Sequence, residues 1–232
     1  MKIKFYCESP LKDSIPHPEP ASKFIPQWYK SLQNDTSIDP IGTPTIKRCI
    51  PFLDSFRMGY IIPLWQDFHF SVNGDIVEYK WKTSLTNNKP ISNHLSEQIE
   101  GSPTSKTKYG NSPMKFNCPW AIKTPPGYSC LFTNLINQPN EYLDLFSAVV
   151  DTDTYFNQIN LPFVWKKENF SGYLQRGMPL VQVIPFRREE WDISVEELDK
   201  SKLDNIISTK KKLSTVFKKG YRNFFWQKKS FK

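Results

Sequence analysis

The chain has little glycine and few histidines, and each shortage narrows the classes of protein it can belong to. Nine glycines stand against 19 prolines in 232 residues, which favours rigid loops and short strands over a helical bundle. His17, His69 and His94 lie in separate contexts, without the spacing that a cupin or an iron-dependent oxygenase needs. No Ser/His/Asp or Cys/His arrangement can be defended from the spacing. The sequence therefore predicts no metal site, no cofactor and no catalytic residues, and it leans away from an enzyme.

Cysteine pairs and long apolar runs are also lacking. Cys7, Cys49, Cys118 and Cys130 are widely spaced and form no C-x-x-C motif, so we expect free thiols in a reducing compartment. The N-terminal residues MKIKFYCESP contain no apolar stretch of signal-peptide length, and no run approaches the length of a membrane span. These absences predict a protein that is neither secreted nor membrane-spanning.

Aromatic side chains and, at one end of the chain, positive charges are abundant. Aromatic residues make up 15% of the sequence, enough for a large buried core and against global disorder. The net charge is +8, but residues 210–232 hold nine Lys or Arg and no acid, and the remainder is close to neutral. The basic character therefore belongs to the C-terminal tail rather than to the folded body.

The most strand-like stretch runs from Gly177 to Trp191. Leu180 to Ile184 is an apolar run with one polar residue, Gln182, and this pattern predicts a buried core strand. Pro179 and Pro185 fit the ends of such a strand, since a proline in its middle would lose a ladder hydrogen bond. We expect the strand to complete the main sheet.

Alternation of apolar and polar residues predicts most of the other strands. The strongest local pattern is Phe68–Val72, then Asn73-Gly74, then Val77–Trp81, which is typical of a β-hairpin. Further strands are expected at 2–6, at 60–64, on both sides of the turn Pro125-Pro126-Gly127, at 143–150 and at 158–165.

Three helices are expected, and together with the strands they define the fold class. One spans residues 21–32, with Pro26 near its first turn and with Trp28 and Leu32 facing inward; a second begins near Pro51 and ends at Gly59. The third, amphipathic, begins at a capping box formed by residues 194 and 197 and extends to about residue 219. We predict a single-domain β-sandwich or jelly roll in residues 1–192, with a long polar loop at about 83–115, followed by a C-terminal helix and basic tail in residues 193–232.

Several motifs together resemble an uncharacterised family of proteins from tailed bacteriophages and some bacteria. They are F-I-P-Q-W-Y-K at 24–30, C-I-P-F-L-D at 49–54, W-A-I-K-T-P-P-G-Y-S at 120–129, V-D-T-D at 150–153 and G-M-P-L-V-Q-V-I-P-F-R-R-E-E-W at 177–191. The resemblance implies a phage origin, and hence a location in the host cytoplasm or the virion, but it brings no activity with it.

A second resemblance is to the trimeric dUTPase and dCTP-deaminase β-fold. Val150, Asp151 and Tyr155 match the Val/Ile-Asp…Tyr turn of those families, and Gly177 and Gln182 match their terminal Gly…Gln strand. The chain lacks their Pro-Arg-Ser-Ser motif and their glycine-rich C-terminal arm, so the metal and triphosphate contacts have no counterpart. Strands alternating with Gly and Pro turns occur in any jelly roll.

Two groups of polar residues are candidates for ligand binding in the body. Asp151 and Asp153, at i and i+2, would point to the same side of a strand and hold a cation or exchange protons; a turn bonded to backbone amides is the alternative. Arg187 and Arg188 suit phosphate or carboxylate recognition, or pair with the adjacent acids. The candidate ligand-binding residues are Asp151, Asp153, Tyr155, Gln182, Arg187 and Arg188.

The basic, aromatic tail is the candidate surface for partners. Its cations alternate with aromatic rings, a composition that suits nucleic acid, an acidic protein groove, a membrane surface, or docking on the body with the lysines pointing outward. The candidate partner-binding residues are Lys218, Lys219, Arg222, Trp226, Lys228 and Lys229.

Three functional hypotheses follow from these features. The leading one is a phage accessory or structural protein that acts through binding surfaces, with other phage proteins as partners. The alternatives are a nucleotide- or small-ligand-acting enzyme on a dUTPase-like fold, and nucleic-acid binding through the tail. The sequence leaves the oligomeric state and the role of the polar loop open.

Overall fold

The computed structural model describes residues 1–38, 42–82, 89–102, 112–215 and 220–232, and the described chain is mainly β. In chain order the strands are β1 (Lys4–Tyr6), β2 (Glu19–Pro20), β3 (Tyr60–Pro63), β4 (Phe68–Asn73), β5 (Ile76–Trp81), β6 (Ile91–Asn93), β7 (Met114–Lys123), β8 (Tyr128–Thr133), β9 (Leu143–Leu145), β10 (Ala148–Val150), β11 (Gln158–Trp165), β12 (Phe170–Leu174) and β13 (Pro179–Arg187).

The strands form three antiparallel sheets in an arrangement of the β-sandwich class. The first sheet has the order β1-β7-β11-β9, and β6 also pairs with β7. The second has the order β10-β8-β13-β3-β2, and the third the order β12-β4-β5. All of these pairs are antiparallel, and the predicted mainly-β sandwich with a C-terminal helix is confirmed.

One aromatic-rich core joins the three sheets. The Phe116 and Phe163 rings of the first sheet stack at 4.4 Å, and Phe70 of the third sheet stacks on Trp165 at 4.5 Å between ring centroids. Val183 in β13 brings the second sheet into the same cluster. Each of these side chains is fully buried, so the high aromatic content is used in the core, as the composition predicts.

The helices are short, apart from one at the C-terminus. They are α1 (Ser9–Lys12), α2 (Gln27–Ser31), α3 (Ile50–Arg57), α4 (Lys200–Thr215) and α5 (Gly220–Phe224), with 3₁₀ turns at Ala21–Phe24, Ile46–Arg48 and Ser96–Ile99. Gly59 follows the C-cap residue Met58 of α3 with φ of +70°, as its predicted role requires. No helix in the described part of the chain is long and apolar enough to cross a membrane.

The chain passes repeatedly between the first and second sheets, and sequence patterns do not predict these crossovers. β7 and β8 flank the predicted proline turn, but they lie in the first and second sheets rather than in one hairpin. The single strand predicted at 143–150 is likewise two strands, because the chain leaves the first sheet after β9 and enters the second at β10. The two halves of residues 143–150 therefore pair with different strands: β9 with β11, and β10 with β8.

Other boundaries differ from the predictions for local reasons. The helix expected at 21–32 is divided, because Ile25 before Pro26 has a ψ of 125°, outside the helical region; Tyr29 is buried there, while Trp28 is about half exposed. The turn of the β4–β5 hairpin is Gly74-Asp75, one residue later than predicted. The sequence patterns did not predict α1, β2 or β12.

The C-terminal helix begins later than its capping box suggested. Residues 188–199 have no regular structure, and the Asp199 carboxylate accepts a hydrogen bond from the Lys202 N–H at 2.8 Å. Asp199 is therefore the N-cap, and the Ser194/Glu197 pattern lies outside the helix. Residues 83–88 and 103–111 of the predicted polar loop lie outside the described residues, which place β6 and a 3₁₀ turn in its remainder.

Candidate functional site

Arg188 joins the two aspartates that the sequence singled out. The guanidinium, directly after β13, donates to both carboxylate oxygens of Asp153, at 2.9 Å to Oδ1 and 2.5 Å to Oδ2. It also donates to Asp151 Oδ1 at 3.3 Å and to Ser129 Oγ at 2.9 Å. Ser129 in turn donates to Asp151 Oδ1 at 2.6 Å. The two carboxylates thus share one cation supplied by the protein itself.

Asp153 is the more enclosed of the two aspartates. Its side chain is only 5% exposed, and its Oδ2 also accepts the Gly127 N–H at 2.8 Å. The hydrogen bonds from Arg188 and from the Gly127 N–H stabilise the charged form and lower the pKa of Asp153 to about 2. Asp153 is therefore ionised at neutral pH and is unsuited to donate a proton there.

The cluster joins three loop segments to one another through hydrogen bonds. Arg188 lies past the end of β13, Gly127 in the β7–β8 turn, and Asp153 in the β10–β11 turn. Below them Thr152 is fully buried, and its hydroxyl contacts the hydroxyl of Thr124 at 2.8 Å and the Cys130 thiol at 3.3 Å. Asp153 thus lies in a turn and accepts a hydrogen bond from a backbone amide, which is the second of the two alternatives given above for Asp151 and Asp153.

Next to the cluster lies an open cleft of about 440 Å³. Val149, Val150, Asp151, Thr154, Tyr155, Ile159 and Asn160 line it. Tyr155 is 49% exposed and accepts a hydrogen bond from the Asn157 amide at 3.2 Å. The structure therefore brings Asp151 and Tyr155 to one cleft, while Asp153 faces Arg188 instead.

Gln182 and Arg187 lie apart from that cleft. Gln182 is buried in β13, six positions before Arg188, which corresponds to roughly 20 Å along a strand. Its amide accepts the Ile136 N–H at 2.9 Å and donates to the carbonyls of Met58 at 2.7 Å and Ser55 at 3.3 Å. Arg187 pairs with Glu189 at 3.3 Å, the local pairing considered for both arginines. Arg188 instead pairs with residues distant in sequence.

The described part of the tail docks on the body. The Trp226 indole donates to Asp54 Oδ2 at 2.8 Å, and the Lys229 ammonium contacts the same oxygen at 3.0 Å. The ring of Phe231 meets Tyr60 edge-on at 6.0 Å between centroids. Asp54 belongs to α3, so the last residues of the chain cover the outside of that helix. These residues of the tail are therefore docked on the body, which was one of the alternatives given for the tail.

The other tail residues differ in their surroundings. Arg222 lies over the Trp226 ring at 5.7 Å, and Lys228 is exposed. Lys218 and Lys219 lie outside the described residues. Nucleic-acid binding through the tail stays a prediction.

Ser129 and Asp54 were not singled out as site residues in the sequence. Each is the last residue of a motif quoted for the phage resemblance, at 120–129 and at 49–54, but their hydrogen-bond partners lie 22 to 175 residues away. The apolar side chains around α4 had a partial signal, because their helical spacing predicted an amphipathic helix. The spacing did not reveal that this apolar face stays exposed.

Comparison with known proteins adds no identification. No family model matches the chain, and no curated protein matches its sequence. Within the described ranges, no group of three or more His, Cys, Asp or Glu side chains is placed to hold a metal ion.

Proposed function

We propose that the protein is an accessory or structural protein of a tailed bacteriophage, and that it works by assembly through its C-terminal segment. The surface that we propose for assembly is formed by residues 189–214, called here the arm. The arm contains eight large apolar side chains, each at least 38% exposed: Trp191, Ile193, Val195, Leu198, Leu203, Ile206, Ile207 and Leu213. An apolar surface of this extent is typical of an interaction site, and this observation carries the proposal.

The charges of the arm favour a second copy of the chain as the partner. Residues 189–199 contain six carboxylates, whereas α4 contains five lysines and one aspartate. One half is therefore acidic and the other basic. In a two-fold dimer each contact occurs twice, so the acidic half of one arm can lie against the basic half of the other.

The same charges argue against the other occupants. A nucleic-acid backbone or an anionic membrane surface would be attracted by α4 but repelled by the six carboxylates that precede it. Within one chain, Lys202 already pairs with Glu196 at 3.2 Å, which demonstrates the attraction between the two halves. The apolar residues of both halves would be removed from water in the dimer, and this burial would supply most of its affinity.

Analytical ultracentrifugation of the full chain over a range of concentrations tests the assembly. We expect a reversible dimer, and Ile207→Asp should weaken it by at least about tenfold because it buries a charge in the interface. Ile76→Asp, at a position in β5 that is at least as exposed, is the control and should leave association unchanged. A monomer at all concentrations, or a dimer indifferent to Ile207→Asp, would contradict the proposal.

A charge exchange tests the pairing of the two halves. Glu196→Lys with Glu197→Lys changes the net charge of the arm from −2, for five lysines and seven acids, to +2, and Lys210→Glu with Lys211→Glu changes it to −6. In a homodimer of either variant the exchanged side chains would meet residues of like charge in the other half, so each variant alone should dimerise much more weakly than the native chain, whereas an equimolar mixture should form a heterodimer. If the mixture stays monomeric while the native chain dimerises, the arms do not pair in this way.

The phage assignment has its own test. Quantitative mass spectrometry of purified virions, from a phage that encodes the chain, should find it at a fixed and even copy number if it is a particle component. Abundant protein in infected cells with none in virions would exclude the structural role and leave an accessory role inside the host.

The cleft beside Asp151 and Tyr155 favours a second candidate, a nucleotide-acting enzyme on a dUTPase-like fold. The two side chains face one open cleft of about 440 Å³, large enough for part of a nucleotide. Pyrophosphate release from dUTP or dCTP in the presence of Mg²⁺, lost in Asp151→Ala and kept in Asp75→Ala, would establish it. Absence of release from both nucleotides by the native chain would exclude these substrates.

A further inference from the structure

A separate cavity of about 510 Å³ lies along β1 and shares no lining residue with the arm or with the Asp151 cleft. Residues 2–7 form one side of it, and Lys12, His17, Pro18 and Trp120 form the other. Its volume is in the range of sites that bind small organic molecules. Neither of the functions proposed above uses this cavity.

The lining of the cavity is cationic. Lys2, Lys4 and Lys12 contribute to it, and no aspartate or glutamate is among the lining residues. In the part of the chain that the structure describes, none of the three ammonium groups has a carboxylate within 4.0 Å. Glu8 and Asp13 are close enough to act on Cys7 but do not line the cavity. The lining of the site therefore carries a net positive charge.

The same cavity has an apolar, aromatic wall. Ile3, Phe5 and Trp120 are partly or fully buried, and the His17 ring meets the Trp120 ring edge-on at 5.6 Å between centroids. Burial raises the pKa of the Cys7 thiol, so this side chain is neutral at pH 7 and adds no negative charge. An apolar wall next to lysines is suited to a molecule that is itself part apolar and part anionic.

Trp120 supplies the independent observation. Its side chain is buried, with a residue exposure of 4%, yet its indole N–H has no hydrogen-bond partner among the described residues. Trp165, which is fully buried, donates its N–H to the Lys167 carbonyl at 2.7 Å. A buried donor without an acceptor is unfavourable and is uncommon in folded proteins. The indole nitrogen is enclosed by the protein, so a shift of the ring that brings its N–H to an acceptor in the cavity would be stabilising.

We propose that this cavity binds a small organic anion. The acidic group lies among Lys2, Lys4 and Lys12, the aromatic or apolar part rests on Phe5 and Trp120, and an acceptor atom of the ligand receives the indole N–H once a small shift of the Trp120 ring exposes it. Phosphate esters and carboxylates share this chemistry, and the cavity lining accepts both.

NMR spectroscopy of the indole N–H groups of the full chain tests the proposal directly. Seven tryptophans give one indole resonance each, and Trp120→Phe assigns the relevant one while keeping an aromatic ring. The probes are naphthyl phosphate, naphthoate and the uncharged naphthalenemethanol. Naphthyl phosphate, naphthoate or both should move the Trp120 resonance with saturation and leave that of Trp165 in place. The uncharged probe should bind at least about tenfold more weakly, because it lacks the charge-assisted contacts.

Substitutions then separate binding from folding. Lys4→Gln with Lys12→Gln should weaken binding of the anions at least about tenfold, since two ionic contacts are lost. Lys80→Gln, at an exposed position in β5, is the matched control and should have no effect. Thermal unfolding of each variant shows whether it is folded.

The outcomes decide between a ligand site and a hydration site. Saturable shifts that depend on both the charge of the probe and the two lysines support the proposal, and the better of the two anions identifies the acidic group. A Trp120 resonance that shows contact with water and responds to no probe would overturn it, as would equal binding of the charged and uncharged probes.

Discussion

Replacing Gln182 with leucine is the substitution that most directly separates a structural from a ligand-binding role for this residue. The side chain is buried, and the change keeps its approximate size while removing every hydrogen bond of the amide. The Ile136 N–H and the Met58 carbonyl lose partners at 2.9 and 2.7 Å, and the Ser55 carbonyl loses a longer contact at 3.3 Å.

The magnitude follows from these contacts. A buried backbone group that loses its partner costs about 1–3 kcal/mol, and two of the three contacts here have good length. Ile136 and Met58 are only partly buried, so water can replace some of the lost bonding. We therefore expect the free energy of unfolding to fall by about 2–4 kcal/mol in Gln182→Leu, a large part of the stability of a typical domain.

Urea unfolding, followed by tryptophan fluorescence, measures this change. The midpoint should fall by about 1 M or more with little change in the denaturant slope. Gln175→Leu is the matched control, because Gln175 is exposed in the β12–β13 connection, and it should change stability by no more than about 0.5 kcal/mol. A loss below about 1 kcal/mol in Gln182→Leu, comparable to one ordinary hydrogen bond, would refute the structural role argued for this amide.

The remaining predictions concern backbone packing, pH and the tail. A Cβ at Gly59 would lie 2.0 Å from the Val183 carbonyl oxygen, whereas one at Gly177 meets nothing within 4 Å; both residues have positive φ. Thermal unfolding should therefore show a much larger loss for Gly59→Ala than for Gly177→Ala, whose cost is about 1–2 kcal/mol, and equal losses would contradict the packing. The pKa of Asp153 is about 2 in the folded protein and about 3.9 in the unfolded chain. Its ionisation therefore contributes fully to stability above about pH 3.9, and this contribution is lost as the pH falls towards 2. Asp153→Asn should flatten the stability profile in this window, and an unchanged slope would contradict the pairing. Trp226→Phe, which removes the indole N–H, should increase cleavage of the last residues by trypsin relative to the native chain; identical cleavage would show that the contact does not hold the tail.

The strands themselves were largely predictable because alternation depends on neighbours in sequence. Phe68, Phe70 and Val72 are buried in β4 as their spacing requires, and β11 has the predicted bounds. β13 continues through Pro185 to Arg187, beyond the predicted end. There it pairs with β8 alone, since its pairing with β3 ends at Val183, so the missing N–H of the proline costs no bond to a second neighbour.

The candidate sites were predictable only in part. Asp151, Asp153 and Arg188 were singled out from their residue types, yet their common location depends on the β10–β11 turn and the end of β13 meeting the β7–β8 turn. The cavity along β1 had no sequence signal at all. Its residues are ordinary lysines and aromatic side chains, and only the pairing of β1 with β7 brings them to Trp120.

The sequence by itself determined the mainly-β class, the apolar face of most strands, the amphipathic C-terminal helix and the basic character of the tail, because each depends on local spacing or composition. The tertiary structure decided which sheet each strand joins, and it paired Arg188 with the distant aspartates rather than with the adjacent acids. It also docked the tail on Asp54 and left the apolar face of the arm exposed. These outcomes depend on contacts between residues far apart in the chain, and the energies of such contacts are set by burial and geometry that no local pattern contains.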